Sequence, residues 1–284
     1  MTITDIYKEI VNKLTPILGE SEARSAARVI LEDVRNITTT DLVVNGHRTV
    51  EPETADRIIN IIDRICIGEP VQYAIGTARF YGMDFKVTPA VLIPRPETEG
   101  LVDMIVKDYD AQSDLHVLDC GTGSGCIAIA LARNLPFASV DAIDLSADAL
   151  AIGEYNANHL KCKVNFSVGD ILNMSLPDKT LYDIIVSNPP YIADKERDNM
   201  DARVKDHEPI SALFVPDDNP LLFYRAIAKY ASKSLKDNGA LYFEINPLFV
   251  DDLKAMLISC GFTDIEITRD YIGRYRYAKA IRKP

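Results

Sequence analysis

The sequence predicts an α/β protein that has a Rossmann-like, mostly parallel seven-stranded sheet, preceded by a small helical domain. Apolar residues in the first part of the chain recur at the helical period. From His116 onward, short β-branched runs alternate with helical ones, which is typical of a parallel sheet covered by helices. The chain has 284 residues, 47% of them hydrophobic, which is enough for one large and one smaller domain.

Composition limits the classes of function. The chain contains no run of about 18 apolar residues and no signal-peptide layout at its start, so we expect a cytoplasmic protein without membrane contact. Five cysteines without a C-x-x-C pair favour reduced thiols and no metal site. A formal net charge of −11 argues against stable nucleic-acid binding, although a local basic patch is compatible with it and an acidic total also serves solubility.

The pattern of glycine and proline breaks divides the chain into three segments. Residues 1–70 are predicted to be a helical domain. Residues 71–90 alternate like strands and are predicted to be a linking β-hairpin, with turns at Gly76 and Gly82. Residues 91–284 are predicted to contain the parallel sheet and the ligand site.

Seven strands are predicted in the last segment. Pro96 is suited to the first turn of a helix that precedes them. The last two strands are joined only by the short stretch 269–273, so we expect them to form an antiparallel pair at one end of the sheet. The predicted strands are His116–Asp119, Ser139–Ile143, Val164–Val168, Tyr182–Val186, Ala240–Ile245, Ile265–Thr268 and Arg276–Ile281.

A glycine-rich turn lies between the first of these strands and an apolar helix. Its spacing is Gly-x-Gly-x-Gly, and not the Gly-x-Gly-x-x-Gly of dinucleotide-binding enzymes. Such glycines allow a sharp turn and a close approach of ligand to the helix start, although a tight turn without ligand is the alternative. The spacing favours S-adenosylmethionine, with the Asp119 carboxylate available to the methionine ammonium. The predicted cofactor residues here are Asp119, Gly121, Thr122, Gly123, Ser124 and Gly125.

Acidic residues follow the next two strands at the same edge of the sheet. Asp144 can accept hydrogen bonds from both ribose hydroxyls, although as a lone carboxylate it could equally cap the helix that begins near Ser146. The glycines before it favour ribose binding. Asp170 can accept a hydrogen bond from the adenine amino group while Ile171 packs on the ring, and a turn aspartate is the alternative.

An Asn-Pro-Pro-Tyr run directly follows the fourth strand. An amide or aromatic amino nitrogen is a poor nucleophile because its lone pair is delocalised. The Asn188 side-chain carbonyl and the Pro189 main-chain carbonyl can accept hydrogen bonds from the N–H groups of such a nitrogen and so orient its lone pair. Pro189 and Pro190 fix those carbonyls, and Tyr191 can stack on the planar group. The run therefore predicts methyl transfer without a metal, with these four residues catalytic and substrate-binding, and with Asn188 also at the cofactor; a chance surface turn is the less favoured alternative.

Several short motifs spread over the chain carry a family resemblance. They are Gly68-Glu69-Pro70-Val-Gln72-Tyr73, Gly76, Phe80-Tyr81-Gly82, Ile93-Pro-Arg-Pro-Glu-Thr-Glu99, Asp119-Cys-Gly-Thr-Gly-Ser-Gly125, Asp144 and Asn188-Pro-Pro-Tyr191. With them the chain resembles the glutamine N5-methyltransferases that modify peptide chain release factors. The resemblance implies the class I S-adenosylmethionine-dependent methyltransferase fold and, as substrate, the glutamine of the release factor's Gly-Gly-Gln loop. It also implies that the helical domain helps hold the release factor and that Phe80 and Arg95 lie near the substrate channel.

Two positions depart from that family's pattern, and one segment has no assigned role. Asn246 stands where the family usually has glycine, and Ile171 stands where some members carry an aromatic residue, which concerns loop shape and adenine packing. The polar stretch 193–216 is predicted to be a mobile cover over the substrate groove, with a plain surface loop as the alternative. Glu208-Pro209 within it matches a family feature of unassigned role.

Two other functions compete with this interpretation. Asn-Pro-Pro-Tyr is shared with adenine-N6 DNA methyltransferases and guanine-N2 rRNA methyltransferases, so an enzyme acting on a nucleic-acid base is the first. The acidic charge and the lack of an added basic domain argue against it. The second is a non-catalytic binding module on the same fold, which the joint presence of Gly121, Gly123, Asp144 and Asn188 disfavours.

Overall fold

The computed structural model describes residues 1–175 and 181–283. The chain forms two compact units. The first consists of Met1–Thr77 together with Asp201–His207, and the second consists of Ala78–Met200 together with Glu208–Pro284.

The first unit is helical, as the sequence predicts for residues 1–70. Its helices are α1 (Ile3–Leu18), α2 (Glu20–Arg35), α3 (Thr39–Val44), α4 (Pro52–Cys66), α5 (Val71–Ile75) and, from later in the chain, α9 (Ala202–His207). The Thr2 hydroxyl accepts a hydrogen bond from the Asp5 amide, and the Asp5 carboxylate accepts one from the Thr2 amide, which caps the start of α1. Ile10, Leu14 and Ile30 are fully buried in the core of this unit.

The segment predicted as a hairpin begins with a helix instead. Val71–Ile75 form α5, so the prediction of strands from Tyr73 is wrong for these residues. Pro70 precedes the helix and Gly76, at a φ of 90°, ends it. Tyr73, Ala74 and Ile75 are all buried, and such a short apolar run does not distinguish a helix from a strand.

The predicted hairpin is shorter than residues 71–90. β1 (Thr77–Phe80) and β2 (Met83–Lys86) form a two-stranded sheet. The two residues between them, Tyr81 and Gly82, have φ values of 49° and 72°. Two successive positive φ values are what a tight two-residue hairpin turn requires.

The second unit contains the predicted seven-stranded sheet. Its order is β10-β11-β9-β6-β3-β4-β5. The strands from β9 to β5 in that order are parallel, and β11 is antiparallel to both β9 and β10, which confirms the antiparallel last pair. The strands are β3 (His116–Cys120), β4 (Ser139–Asp144), β5 (Asn165–Val168), β6 (Tyr182–Ser187), β9 (Leu235–Glu244), β10 (Phe262–Arg269) and β11 (Tyr275–Arg282).

Helices cover both faces of this sheet. They are α6 (Pro96–Tyr109), α7 (Cys126–Asn134), α8 (Ala147–His159), α10 (Leu222–Ser234) and α11 (Val250–Ser259). Neighbouring strand residues pack into different cores: Val117 and Ile184 belong to one hydrophobic cluster, whereas Leu118 and Ile185 belong to another. Both faces are therefore buried, which explains the continuous apolar runs in the sequence.

The strand order determines where a ligand can bind. β3 lies between β4 and β6, so successive strands are added on one side of β3 and then on the other. At such a switch point the loops after the strands diverge and leave a crevice at the carboxyl ends. The glycine-rich turn, Asp144, Asp170 and Asn188 all follow strands at this edge.

The stretch 193–216 is not a plain loop. It contains a single-turn 3₁₀ helix at Ile210–Ala212, a longer one at Asp194–Asn199, and α9. β7 (Ile192–Ala193) pairs in parallel with β8 (Phe214–Val215). The alternative of an irregular surface loop is therefore wrong for this stretch.

Candidate active site

A cavity of about 510 Å³ opens at the carboxyl edge of the sheet in the second unit. Loops after β3, β4, β5 and β6 contribute to its wall, as does the segment before α6. The cavity therefore gathers most of the side chains that the sequence selects. Those on the wall are Arg95, Gly121, Thr122, Gly123, Ser124, Asp144, Asp170, Ile171, Asn188, Pro189 and Pro190.

The described residues that line this cavity do not include Asp119, Gly125, Phe80 or Tyr191. Phe80 is fully buried in the hydrophobic core, with its ring edge-on to Phe85 at a centroid distance of 6.1 Å, so its expected place beside the substrate channel is corrected. The Tyr191 hydroxyl donates a hydrogen bond to Glu244 at 3.0 Å, and its ring packs against the core. Tyr191 is thus tied to Glu244 at the end of β9.

The three glycines of the turn have different roles. Gly121 and Gly123 have φ values of 72° and 54°, and a Cβ added to either would meet no atom within 4 Å. The Cα of each therefore faces open space that a ligand can approach. A Cβ on Gly125 would lie 3.0 Å from the Ile129 side chain and 3.3 Å from Gly153 Cα, so this glycine lets α7 and α8 pack closely.

Asp119 lies buried beneath the glycine-rich turn. Its Oδ2 accepts hydrogen bonds from the Thr122 hydroxyl at 2.7 Å and from the Ala128 amide at 3.2 Å. Among the described residues no group donates a hydrogen bond to its Oδ1. Burial raises the pKa of Asp119 to about 7, and repulsion from Asp144 adds to this, against the effect of the two hydrogen bonds. An unpartnered buried carboxylate oxygen is suited to a cationic group.

Asp144 connects the turn to the neighbouring strand. Its two oxygens accept hydrogen bonds from the Gly123 amide at 2.8 Å and from the Ser146 amide at 2.9 Å. The cap of α8 is Ser146, whose hydroxyl accepts a hydrogen bond from the Ala149 amide at 3.1 Å. The alternative of a capping role for Asp144 is therefore wrong, and its carboxylate stays on the cavity wall.

Asp170 forms a turn at the cavity wall. Its carboxylate accepts hydrogen bonds from the Leu172 amide at 2.9 Å and from the Asn173 side chain at 2.7 Å. The turn role considered for this residue is thus present. Ile171 beside it also lines the cavity.

Two hydrogen bonds fix the start of the Asn-Pro-Pro-Tyr run. The buried Ser187 hydroxyl donates to the Cys120 carbonyl at 2.6 Å, which ties the end of β6 to β3. The Asn188 Nδ2 lies 3.3 Å from the Thr98 hydroxyl and donates to it. Asn188, Pro189 and Pro190 line the same cavity as the residues of the glycine-rich turn.

Sequence reasoning assigned no role to two residues that support Asn188. Glu244, at the end of β9, accepts hydrogen bonds from the Thr98 hydroxyl at 2.6 Å and from the Tyr191 hydroxyl at 3.0 Å. Burial raises the pKa of Glu244 above its usual range. The sequence signal was present, because a single acid between Phe243 and Ile245 in an apolar strand must find partners.

Glu208 anchors the segment that carries Arg95. One of its oxygens accepts a hydrogen bond from the Arg95 guanidinium at 2.5 Å, and the other accepts one from the Ile93 amide at 3.1 Å. The Glu208 side chain is 1% exposed and that of Arg95 is 33% exposed. The pair therefore holds Arg95 at the cavity wall, which gives the Glu208-Pro209 feature a structural role.

Removing the Glu208 carboxylate should destabilise the protein. Glu208→Ala leaves the Ile93 amide without its acceptor, and we expect the free energy of unfolding to fall by about 1–3 kcal/mol. Denaturant unfolding measures this change. Glu154→Ala, at an exposed position on α8, is the matched control and should stay within about 0.5 kcal/mol of the unmodified protein. Equal stability of the two variants would contradict the anchoring role.

In residues 1–175 and 181–283, no group of three or more His, Cys, Asp and Glu side chains is arranged to hold a metal ion. No helix in the same ranges is both long and apolar enough to cross a membrane.

Known proteins resemble this chain over nearly all of its length. The model of the PrmC N-terminal domain matches residues 6–76, and that of the methyltransferase small domain matches residues 98–204. A release factor glutamine methyltransferase from Bacteroides thetaiotaomicron is 42% identical over 274 residues, which cover 96% of this chain and 98% of that protein. The chain belongs to the release factor glutamine methyltransferase family. A relative of the same description from Flavobacterium psychrophilum is 38% identical over 98% of this chain and 99% of its own length.

A solved structure supports the fold that this family membership implies. The crystal structure of a methyltransferase from Pyrococcus furiosus superimposes with a TM-score of 0.53, at 15% identity, over 78% of this chain and 98% of that one. At this identity the likeness concerns the fold alone. The predicted methyltransferase fold, the helical N-terminal domain and the methyltransferase family are all confirmed.

Proposed function

We propose that this protein transfers a methyl group from S-adenosylmethionine to the side-chain amide nitrogen of the glutamine in the Gly-Gly-Gln motif of a peptide chain release factor. The observation that carries the proposal is the placement of Asn188, Pro189 and Pro190 on the wall of the cavity that also holds the glycine-rich turn. The names of the relatives support glutamine as the acceptor. Because the proposed partner acts in translation, we also propose a cytoplasmic location, and we assign to the helical unit the task of holding the release factor.

The glycine-rich turn, the buried Asp119 beneath it and the acidic residues on the cavity wall fit the proposed cofactor. Gly121 and Gly123 leave space where a Cβ would otherwise protrude, and the unpartnered Asp119 Oδ1 suits the methionine ammonium. Asp144 is proposed to accept hydrogen bonds from the ribose hydroxyls, while Asp170 and Ile171 are proposed to contact adenine. When bound, this cofactor supplies an electrophilic methyl group on a sulfonium.

The remaining chemistry is one of positioning. The Asn188 side-chain oxygen and the Pro189 carbonyl would accept hydrogen bonds from the two N–H groups of the glutamine amide, which directs the nitrogen lone pair at the methyl group. As the nitrogen–carbon bond forms, the carbon–sulfur bond would break to leave a neutral thioether, and the nitrogen would release one proton to solvent. Proline at both positions after Asn188 restricts the backbone that carries these carbonyls. When both reactants are already bound in this geometry, the entropy of bringing them together has been lost before the chemical step. Lowering the activation barrier in this way is the main contribution that we assign to the protein.

Cofactor affinity should fall as the pH is lowered through about 7. Because the pKa of Asp119 in the free protein is raised to about 7, this carboxyl is largely neutral at pH 6 and largely ionised at pH 8. Only the ionised form attracts the methionine ammonium. The methionine α-amino group, with a pKa of about 7.8, is itself partly neutral at pH 8, so calorimetry should find binding roughly four-fold tighter at the higher pH. Asp119→Asn should bind weakly at both pH values, and an equal pH dependence in that variant would contradict the assignment.

The experiment that tests the function is methylation of defined acceptors. The protein is incubated with labelled S-adenosylmethionine and a release factor, and in parallel with duplex DNA and rRNA. Mass spectrometry then locates the added methyl group. One methyl on the Gly-Gly-Gln glutamine, absent when that glutamine is replaced by alanine, is the expected result. Label found only on nucleic acid would overturn the choice of acceptor and favour base methylation.

A further inference from the structure

We propose that Thr98 and Glu244 are positioning residues that determine which side of the Asn188 amide faces the acceptor. This inference deepens the proposed function and rests on it. It assigns a role in methyl transfer to two buried residues that do not themselves touch the acceptor nitrogen. The chain of hydrogen bonds runs from Glu244 to Thr98 and from Thr98 to Asn188.

Glu244 determines the direction of the Thr98 hydroxyl. Both residues are 2% exposed, so water does not compete for these groups. The Thr98 hydroxyl lies 2.6 Å from one Glu244 oxygen, within the range of about 2.5–2.7 Å typical of a hydroxyl that donates to a carboxylate. The other Glu244 oxygen accepts a hydrogen bond from the Tyr191 hydroxyl at 3.0 Å. Two donors on its two oxygens match an ionised carboxylate.

Thr98 in turn determines the orientation of Asn188. A threonine hydroxyl has one hydrogen, and here Glu244 receives it. Toward Asn188, Thr98 can therefore only accept, and the Asn188 Nδ2 lies 3.3 Å from its oxygen. A flipped Asn188 amide would bring its oxygen against a lone pair of the threonine oxygen. The arrangement keeps the Asn188 oxygen available to accept a hydrogen bond from the N–H group of the glutamine amide that is methylated, as the proposed function requires.

Arg276 and Asp270 lie near Glu244, but neither can orient Asn188 in place of Thr98. Arg276, on β11, lies close enough to favour the ionised form of Glu244, and its Nε donates a hydrogen bond to Asp270 at 3.2 Å. Neither Arg276 nor Asp270 is among the described residues that line the cavity. Thr98 does line it, between Glu244 and Asn188. Thr98 is thus the residue through which the buried carboxylate acts on the site.

A double-mutant cycle separates this role from a merely structural one. Thr98→Val keeps the shape and removes the hydroxyl, and we expect kcat for glutamine methylation to fall about ten-fold or more while cofactor affinity changes less than about two-fold. Thr98→Ser restores the hydroxyl and should recover most of kcat. In the Asn188→Ala background, Thr98→Val should lower kcat by less than about two-fold, because the side chain that it orients is gone.

The controls keep this test decisive. Ser234→Ala removes a buried hydroxyl on α10 that donates to the Tyr230 carbonyl, and it should lower stability without lowering kcat. If Thr98→Val does not fold, Glu244→Met is added to remove the carboxylate oxygen that has lost its donor. The double variant then takes the place of Thr98→Val in the same cycle. Unchanged kcat in Thr98→Val, no recovery in Thr98→Ser, or multiplied losses with Asn188→Ala would each overturn the positioning role. Failure of the unmodified protein to methylate glutamine would instead overturn the proposed function.

Discussion

Asn188→Ala should lower kcat for glutamine methylation by about 100- to 1000-fold and leave the affinity for S-adenosylmethionine within about three-fold. The variant loses the side-chain oxygen to which, in our proposal, the glutamine amide donates a hydrogen bond. The proposed contacts of Asp119 and Asp144 with the cofactor remain. Steady-state rates of labelled methyl transfer at saturating cofactor and release factor measure kcat. Calorimetry of cofactor binding to the same preparation measures the affinity.

The control for this variant is Asn134→Ala. Asn134 is exposed at the end of α7, where its side chain donates a hydrogen bond to the Ala130 carbonyl at 2.8 Å. This substitution removes the same kind of side-chain amide, here from a helix that begins at the glycine-rich turn. It should leave kcat and cofactor affinity unchanged. A collapse of cofactor affinity in Asn188→Ala would show that Asn188 holds the cofactor, and not the acceptor.

Asp144→Ala should weaken cofactor binding by roughly 100-fold, because hydrogen bonds to a charged group contribute about 1.5–3 kcal/mol each. The variant loses the proposed acceptor for the ribose hydroxyls, and the Gly123 and Ser146 amides lose their partner. Calorimetry measures the affinity, and initial rates at saturating cofactor measure kcat. We expect kcat at saturation to fall far less than the affinity does.

A second aspartate on the same strand provides the comparison for Asp144. Asp141 accepts hydrogen bonds from the Asn165 side chain at 2.9 Å and from the Tyr182 hydroxyl at 3.2 Å. It is not among the described residues that line the cavity, so Asp141→Asn should change cofactor affinity less than about two-fold. Similar affinities for Asp144→Ala and the unmodified protein would exclude the ribose assignment.

The large parallel sheet was predictable because short β-branched runs alternate with helical patterns from His116 onward. Burial on both faces produces such runs, as the split of Val117 and Leu118 between two cores shows. The antiparallel pair at the end was predictable because too few residues separate β10 from β11 for a crossover. Strand ends were less accurate, since β9 begins at Leu235 and not at Ala240.

Short helices were missed because they bury too little to create a period. α3 spans six residues, none of them buried, and its Val43 and Val44 are exposed. Its only local signal is the capping box between Thr38 and Asp41. In α5 three successive residues are buried, which resembles a strand as closely as a helix.

The site could be predicted as far as its residues follow strand ends in recognisable motifs. The support for Asn188 could not, because Thr98 and Glu244 lie 146 positions apart and only the fold brings them together. The partner of Tyr191 could not be predicted either, because the motif alone does not show that the buried Glu244 carboxylate accepts a hydrogen bond from its hydroxyl. An isolated acid in an apolar strand was the available indication of that partner.

The cavity wall extends in sequence from Ala90 to Ile227, and its support reaches Glu244. Contacts between such distant positions require long loops to close, which costs chain entropy. A nascent chain or a proteolytic fragment that lacks β9 therefore lacks the support of Asn188. A ligand that binds only the completed cavity shifts the folding equilibrium toward the native state in proportion to its concentration. We therefore expect the resistance of this protein to proteolysis in the cell to follow the supply of its methyl donor.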